Sequence, residues 1–172
     1  MDTQVLVAYA TKHGATAEIA EKIGQVLRQA GLRADVLPAQ RVDDLSPYKA
    51  VILGSAVYIG QWRKEAATFL GANEKALAER PVWLFSSGPS GEGDPTQLLK
   101  GWRLPKAQQS VADRIHPRDI AVFGGALDPK KMNVIERWMI KNVKASLGDF
   151  RDWDAIEAWT KAISDALLQE TK

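Results

Sequence analysis

The stretch VAYATKHGATAEIA, residues 7–20, decides how the rest of the chain is read. A short apolar run ends at Ala10. The loop Thr11–Thr16 follows, with a His-Gly pair inside it, and a helical pattern starts at once. Such a loop aims backbone N–H groups past the end of the strand, and the helix dipole favours an anion there. Gly14 lets the backbone come close, and the hydroxyls of Thr11 and Thr16 are available donors. A plain strand-to-helix turn with Thr as N-cap explains the same residues equally well. The loop is not a Walker loop, which needs GxxxxGK(S/T), nor the dinucleotide fingerprint GxGxxG. The glycines of GPSGEG, residues 88–93, follow a different strand at a different spacing.

Outward from this stretch, apolar runs alternate with amphipathic ones. Residues 3–10, 32–38, 48–56, 80–88 and 118–127 read as strands, rich in Val, Ile and Leu and apolar on both faces. Residues 15–30 place Ile19, Ile23, Val26, Leu27 and Ala30 on one helical face, with Gly31 as a stop signal. Residues 62–78, 106–115, 130–147 and 153–168 read as further helices, the last capped by Asp152 or Asp154. Strands separated by helices imply a parallel sheet covered on both faces. Ligands of such sheets bind beyond the C-terminal strand ends. The loops to inspect are therefore 11–16, 55–62 and 86–95, all rich in small and hydroxyl residues.

Composition narrows the chemistry. The 172 residues suit a single globular domain, 45% hydrophobic and 26% charged. No cysteine is present, which excludes disulfides and thiol chemistry, and two histidines without acidic clusters speak against a metal site. A formal charge of +2 is too small to argue for nucleic acid. No apolar run approaches the ~20 residues of a membrane span. The first residues lack the order of a signal peptide, so a cytoplasmic location is expected.

The Thr-x-x-Gly-x-Thr loop resembles the phosphate loop of flavodoxins. ILGSAVYIGQW after the third strand and LFSSGPSGEGD after the fourth keep the flavodoxin order. GGALDPKKMNVIERWMIKNV followed by GDFRDWDAIEAWTKAI is similar to a narrower group, the bacterial flavodoxin-type, menaquinone-dependent protoporphyrinogen oxidases. The resemblance covers essentially the whole chain. It implies a three-layer α/β sandwich with a five-stranded parallel sheet of order 2-1-3-4-5. It also implies FMN as cofactor, its phosphate cradled by Thr11, Lys12, His13, Gly14, Ala15 and Thr16. Ser55, Ala56, Val57, Tyr58, Ile59 and Gly60 would border one side of the flavin ring. Ser86, Ser87, Gly88, Pro89, Gly91, Gly93 and Asp94 would border the other.

Two departures from the flavodoxin pattern stand out. His13 occupies a position where many flavodoxins carry a hydroxyl, which leaves its backbone N–H as the contact. The third loop has no aromatic residue, so Tyr58 is the expected stacking residue, while Trp62 reads as core. Gly60 tolerates an unusual peptide conformation beside the ring. His13 and His116 read as a loop residue and a surface residue. No side chain has the character of a strong general base, and no catalytic residue is assigned.

Residues 130–147 combine Lys130, Lys131, Arg137, Lys141 and Lys144 with a Met132, Ile135, Met139 and Val143 stripe. Such a helix suits a membrane interface, a partner, a substrate wall or the core. The resemblance implies an FMN oxidoreductase. Its substrate would be protoporphyrinogen IX or another planar small molecule, its electron acceptor a quinone or redox protein, with peripheral contact at the inner face of the cell membrane. The alternative is a flavodoxin-type soluble electron carrier, against which the mildly basic balance counts.

Overall fold

The apolar run of the first strand sits at the centre of the sheet in the computed structural model, which describes residues 3–58, 60–88, 103–127, 148–149 and 151–170. In chain order the elements are β1 (Gln4–Ala10), α1 (Ala15–Gln29), β2 (Arg33–Pro38), β3 (Ala50–Tyr58), β4 (Gln61–Trp62) and α2 (Lys64–Ala72). Then come α3 (Glu74–Ala78), β5 (Val82–Ser87), α4 (Lys106–Ile115), β6 (Asp119–Phe123), β7 (Ala126–Leu127), β8 (Gly148–Asp149) and α5 (Trp153–Glu170). The main sheet runs β2-β1-β3-β5-β6, with every neighbouring pair parallel. This is the expected 2-1-3-4-5 order, since β5 and β6 are the fourth and fifth principal strands.

Alternation along the strands explains why their apolar runs are unbroken. Val5, Val7, Ile52 and Phe85 pack with Ile19, Ile23 and Leu27 of α1 and with Ile156, Ile163 and Leu167 of α5. Leu6, Ala8, Val51, Leu53 and Leu84 point the other way, onto Phe69 and Leu70 of α2, Leu77 of α3, and Ala112 and Ile115 of α4. Adjacent residues of one strand thus feed two cores. Each fully buried aliphatic side chain contributes about 1.5–3 kcal/mol of transfer free energy. Trp159 of α5 closes its side, packing edge-on against Phe85 and Phe123 at centroid distances of 6.1 and 5.4 Å.

Three boundaries differ from the sequence expectation. The helix expected from residue 62 starts at Lys64, because Trp62 belongs to a short antiparallel hairpin, Val57 opposite Trp62 and Tyr58 opposite Gln61. Gly60 turns that hairpin at φ +72°. The same helix is divided at Asn73, whose side-chain amide donates to the Phe69 carbonyl at 2.9 Å and so competes with the helical ladder. The fifth strand ends at Phe123 rather than 127. Ala126–Leu127 instead pairs antiparallel with Gly148–Asp149, outside the main sheet. The helix expected over 130–147 lies outside the described residues. The closing helix is capped as expected by Asp152, whose carboxylate accepts from the Ala155 N–H at 3.0 Å.

Candidate functional site

The first loop is built around one bond. The Gly14 N–H donates to Thr11 Oγ1 at 3.0 Å, which folds residues 11–14 into a turn at the end of β1. Gly14 sits at φ +93°, and a Cβ built there meets nothing within 4 Å. Backbone conformation, not crowding, therefore calls for glycine at this point. Gly14 is also the N-cap of α1, with no side-chain cap bond, so neither threonine caps the helix as the plain-turn reading would have it. The Glu18 N–H donates to the Gly14 carbonyl at 3.2 Å. Helix geometry then leaves the N–H groups of Ala15, Thr16 and Ala17 without an intrahelical acceptor. Thr16 is only 2% exposed and lines the cleft beside them.

Sheet register brings the other walls to the same place. Ala10 lies beside Ser55, Ser55 beside Ser86, and Ser87 beside Phe123, so four strands end abreast. One cleft at these ends is lined by Thr11, Lys12, His13, Ala15 and Thr16 from the first loop. Ala56, Val57 and Tyr58 line it from β3, and Ser87 and Gly88 from β5. Ser55 and Ser86, the neighbours of these residues in β3 and β5, are fully buried. Ser55 Oγ donates to the Ala56 carbonyl and accepts the Arg63 N–H, both at 2.9 Å. Ser86 Oγ donates to the Arg103 carbonyl and accepts the Trp62 indole N–H, again both at 2.9 Å. These two hydroxyls brace the hairpin and the 103 segment. Trp62 is a core residue, as its sequence position implies, at 6% exposure.

Gly125 is a cleft residue that the sequence reading missed. The available signal was the Gly124–Gly125 pair interrupting the fifth strand. A Cβ on Gly125 would lie 2.9 Å from the Gly88 Cα, and one on Gly88 would lie 2.9 Å from the Val57 Cβ and 3.0 Å from its carbonyl oxygen. Bare backbone is what allows these three chain segments to meet. Ile59, Pro89, Gly91, Gly93 and Asp94 lie outside the described residues. His116 is exposed and ends α4 at φ 54°, at the strand entrance and away from the cleft.

Two cations shape the electrostatics. The Lys12 ammonium lies 3.8 Å from the Tyr58 ring centroid, a close cation–π contact inside the cleft. Arg151, also missed from the sequence, is 9% exposed and grips the first turn of α1. Its Nη1 donates to Glu18 Oε2 at 3.2 Å and to the Ala15 carbonyl at 3.3 Å. Its Nε and Nη2 form a fork on Asp149 at 2.9 and 2.7 Å. The hydrogen-bonded Arg151 guanidinium holds the Asp149 carboxyl below the usual carboxylate range, and Asp149 in turn raises Arg151.

The donor set of the first loop fits a phosphate: open helix N–H groups, a threonine beside them, and a glycine turn that presents backbone rather than side chain. The cleft's apolar and aromatic lining from Ala56, Val57 and Tyr58 fits the flavin that such a phosphate would carry. Among the described residues, no helix is long and apolar enough to cross a membrane.

The chain is 24% identical over 177 residues to protoporphyrinogen IX dehydrogenase (quinone) of Escherichia coli strain K12, covering 94% of each. It is similar in structure to rubredoxin oxygen:oxidoreductase of Desulfovibrio gigas, with a TM-score of 0.63 and 13% identity over 98% of this chain. It spans only 37% of that larger protein. A point mutant of flavodoxin from Pseudomonas aeruginosa matches with a TM-score of 0.55 and 16% identity, over 96% of this chain and 99% of the flavodoxin. The flavodoxin family and its solved neighbours are FMN-binding flavoproteins. Residues 6–154 match the flavodoxin domain, and with the parallel sheet and the loop at its strand ends this places the chain in the flavodoxin family.

Proposed function

We propose that this chain is an FMN-dependent oxidoreductase that takes electrons from a planar, porphyrinogen-class substrate and passes them to a quinone. The observation that carries the cofactor assignment is the meeting of the α1 N-terminus, Thr16, Tyr58 and the Gly88 backbone in one cleft. The likeness to the Escherichia coli dehydrogenase over 94% of both chains supports the substrate and acceptor classes. Bound FMN supplies the redox chemistry. The chain's residues supply binding and electrostatics. Thr11, Lys12, His13, Gly14, Ala15 and Thr16 hold the phosphate. Tyr58 stacks on the ring, and Gly60 gives the neighbouring peptide its freedom to turn. The ring's other side is bordered by Ser87 and Gly88, and by Pro89, Gly91, Gly93 and Asp94 beyond the described residues. The basic segment 130–147, also beyond them, offers the contact with a membrane surface.

Lys12 favours electron acceptance. Reduction adds negative charge in a partly dry cleft, and a resident ammonium stabilises that charge. Lys12→Met is expected to lower the two-electron midpoint potential of the bound cofactor by about 30 mV, a tenfold shift in equilibrium. Spectroelectrochemical titration reads this directly, and an unchanged potential removes Lys12 from the tuning role.

The decisive experiment is anaerobic mixing of the FMN-loaded protein with protoporphyrinogen IX, then with a soluble menaquinone analogue. Bleaching of the flavin absorbance with appearance of porphyrin, and recovery on adding quinone, is the expected result. The likeness to Pseudomonas aeruginosa flavodoxin over nearly the full length of both chains favours a second reading, an electron carrier. That reading gains if the flavin ignores porphyrinogen and exchanges electrons only with redox proteins.

A further inference from the structure

The Arg151 cluster has no part in the cofactor contacts described above, yet Arg151 hydrogen-bonds to two carboxylates and a carbonyl beside them. Its two carboxylate partners come from opposite ends of the chain. Asp149 lies in β8, and Glu18 lies in the first turn of α1. The Trp153 ring covers the guanidinium, whose Cζ is 4.8 Å from the ring centroid. Among the described residues, Nη1 hydrogen-bonds to the Ala15 carbonyl and Glu18, both in the first turn of α1.

Glu18 poses a problem for that turn. It is one helical turn from Gly14, and a carboxylate there competes with any anion for the positive end of the α1 dipole. Arg151 pairs with it at 3.2 Å, sharing its charge with Asp149, and through the Ala15 carbonyl fixes the peptide that carries the Thr16 N–H. Asp149 orients the guanidinium from the far side, because a bidentate fork leaves it one way to point.

We propose that Arg151 is a positioning residue that sets affinity for the FMN phosphate, by offsetting the Glu18 charge and holding the first turn of α1. The inference rests on the assignment of that phosphate to residues 11–16. It acts on the phosphate end of the cofactor and leaves the ring contacts alone.

Apoprotein titrated with FMN and with riboflavin, followed by flavin fluorescence, tests it. Riboflavin carries the same ring without the phosphate. Arg151→Gln is expected to weaken FMN about fivefold at low salt, the size of one uncompensated charge at a helix terminus when that charge, on Glu18, is 57% exposed. Riboflavin affinity should change by less than about twofold, and the FMN loss should shrink as salt screens it. Arg151→Gln combined with Glu18→Gln should recover most of the lost affinity, because the competing charge is then gone. Arg151→Lys keeps the charge without the fork on Asp149, so it should lose less FMN affinity than Arg151→Gln. Equal loss of FMN and riboflavin, or no recovery in the double variant, would make Arg151 a structural staple and overturn the proposal. If Arg151→Gln does not fold, Glu18→Gln alone decides: FMN binding should tighten about threefold with riboflavin unchanged, and an unchanged FMN affinity overturns it. A parent protein that binds riboflavin as tightly as FMN would instead sink the phosphate assignment itself.

Discussion

Thr16→Glu is expected to abolish FMN binding. Thr16 is the second residue of α1 and lines the cleft beside the open N–H groups. A carboxylate there stands where the phosphate would be held. Two unit charges about 4 Å apart repel by about 4 kcal/mol at an effective dielectric of about 20, a factor of about 1,000 in affinity. A carboxylate at a position only 2% exposed also costs stability, so a lowered melting temperature should accompany the change. Titration of the apoprotein with FMN and riboflavin separates the effects. FMN binding should vanish, and riboflavin binding should fall far less. Retained FMN affinity would show that the phosphate binds elsewhere. Thr16→Val, which removes only the hydroxyl, should cost about tenfold, the value of one hydrogen bond to a charged group.

Gly88→Val is the second large effect, and its signature differs. Even a Cβ at this position would lie 2.9 Å from the Val57 Cβ and 3.0 Å from the Val57 carbonyl oxygen. Val57 cannot retreat easily, because it pairs with Trp62 in the hairpin, and the Trp62 indole is tied to Ser86. Gly125 crowds Gly88 from the opposite side. Overpacking of this kind costs about 1–3 kcal/mol, and spreading the strand ends apart should weaken the cofactor by up to about 100-fold. Because the damage is to the wall of the cleft and not to the anion loop, FMN and riboflavin should suffer together. Calorimetry should show a lowered melting temperature in the same variant. A normal affinity for both ligands would mean that the Gly88 wall does not border the flavin.

The local features of the chain were legible because local physics fixes them. Unbroken apolar runs of strand length, each followed by an amphipathic helix, permit little besides a parallel sheet covered on both faces. Thr11, Gly14 and Thr16 announced a tight turn at a helix start, and the positive φ of Gly14 is what glycine in such a turn provides. Tyr58 and Ser87 were legible as cleft residues because they fall at strand ends, where parallel sheets hold ligands. Asp152 was legible as a cap from the short polar side chain that precedes a helical pattern.

Tertiary structure decided what depends on register and on distant partners. Ser55 and Ser86 look in sequence like ligand hydroxyls, but both are fully buried and hydrogen-bond to Arg63, Trp62 and Arg103. Trp62 begins a helical pattern, yet pairing with Val57 draws it into a hairpin. Gly125 became part of the site only because β6 ends beside β5. Arg151 meets Glu18 across 133 residues of sequence, a contact that no local pattern encodes. Propensity and periodicity act over a few residues, so the sequence by itself determined the main strands, the parallel sheet and the glycine turn that opens α1. Which side chains face the cleft, and which charges balance there, follows from strand register and long-range packing, and these exist only once the chain has folded.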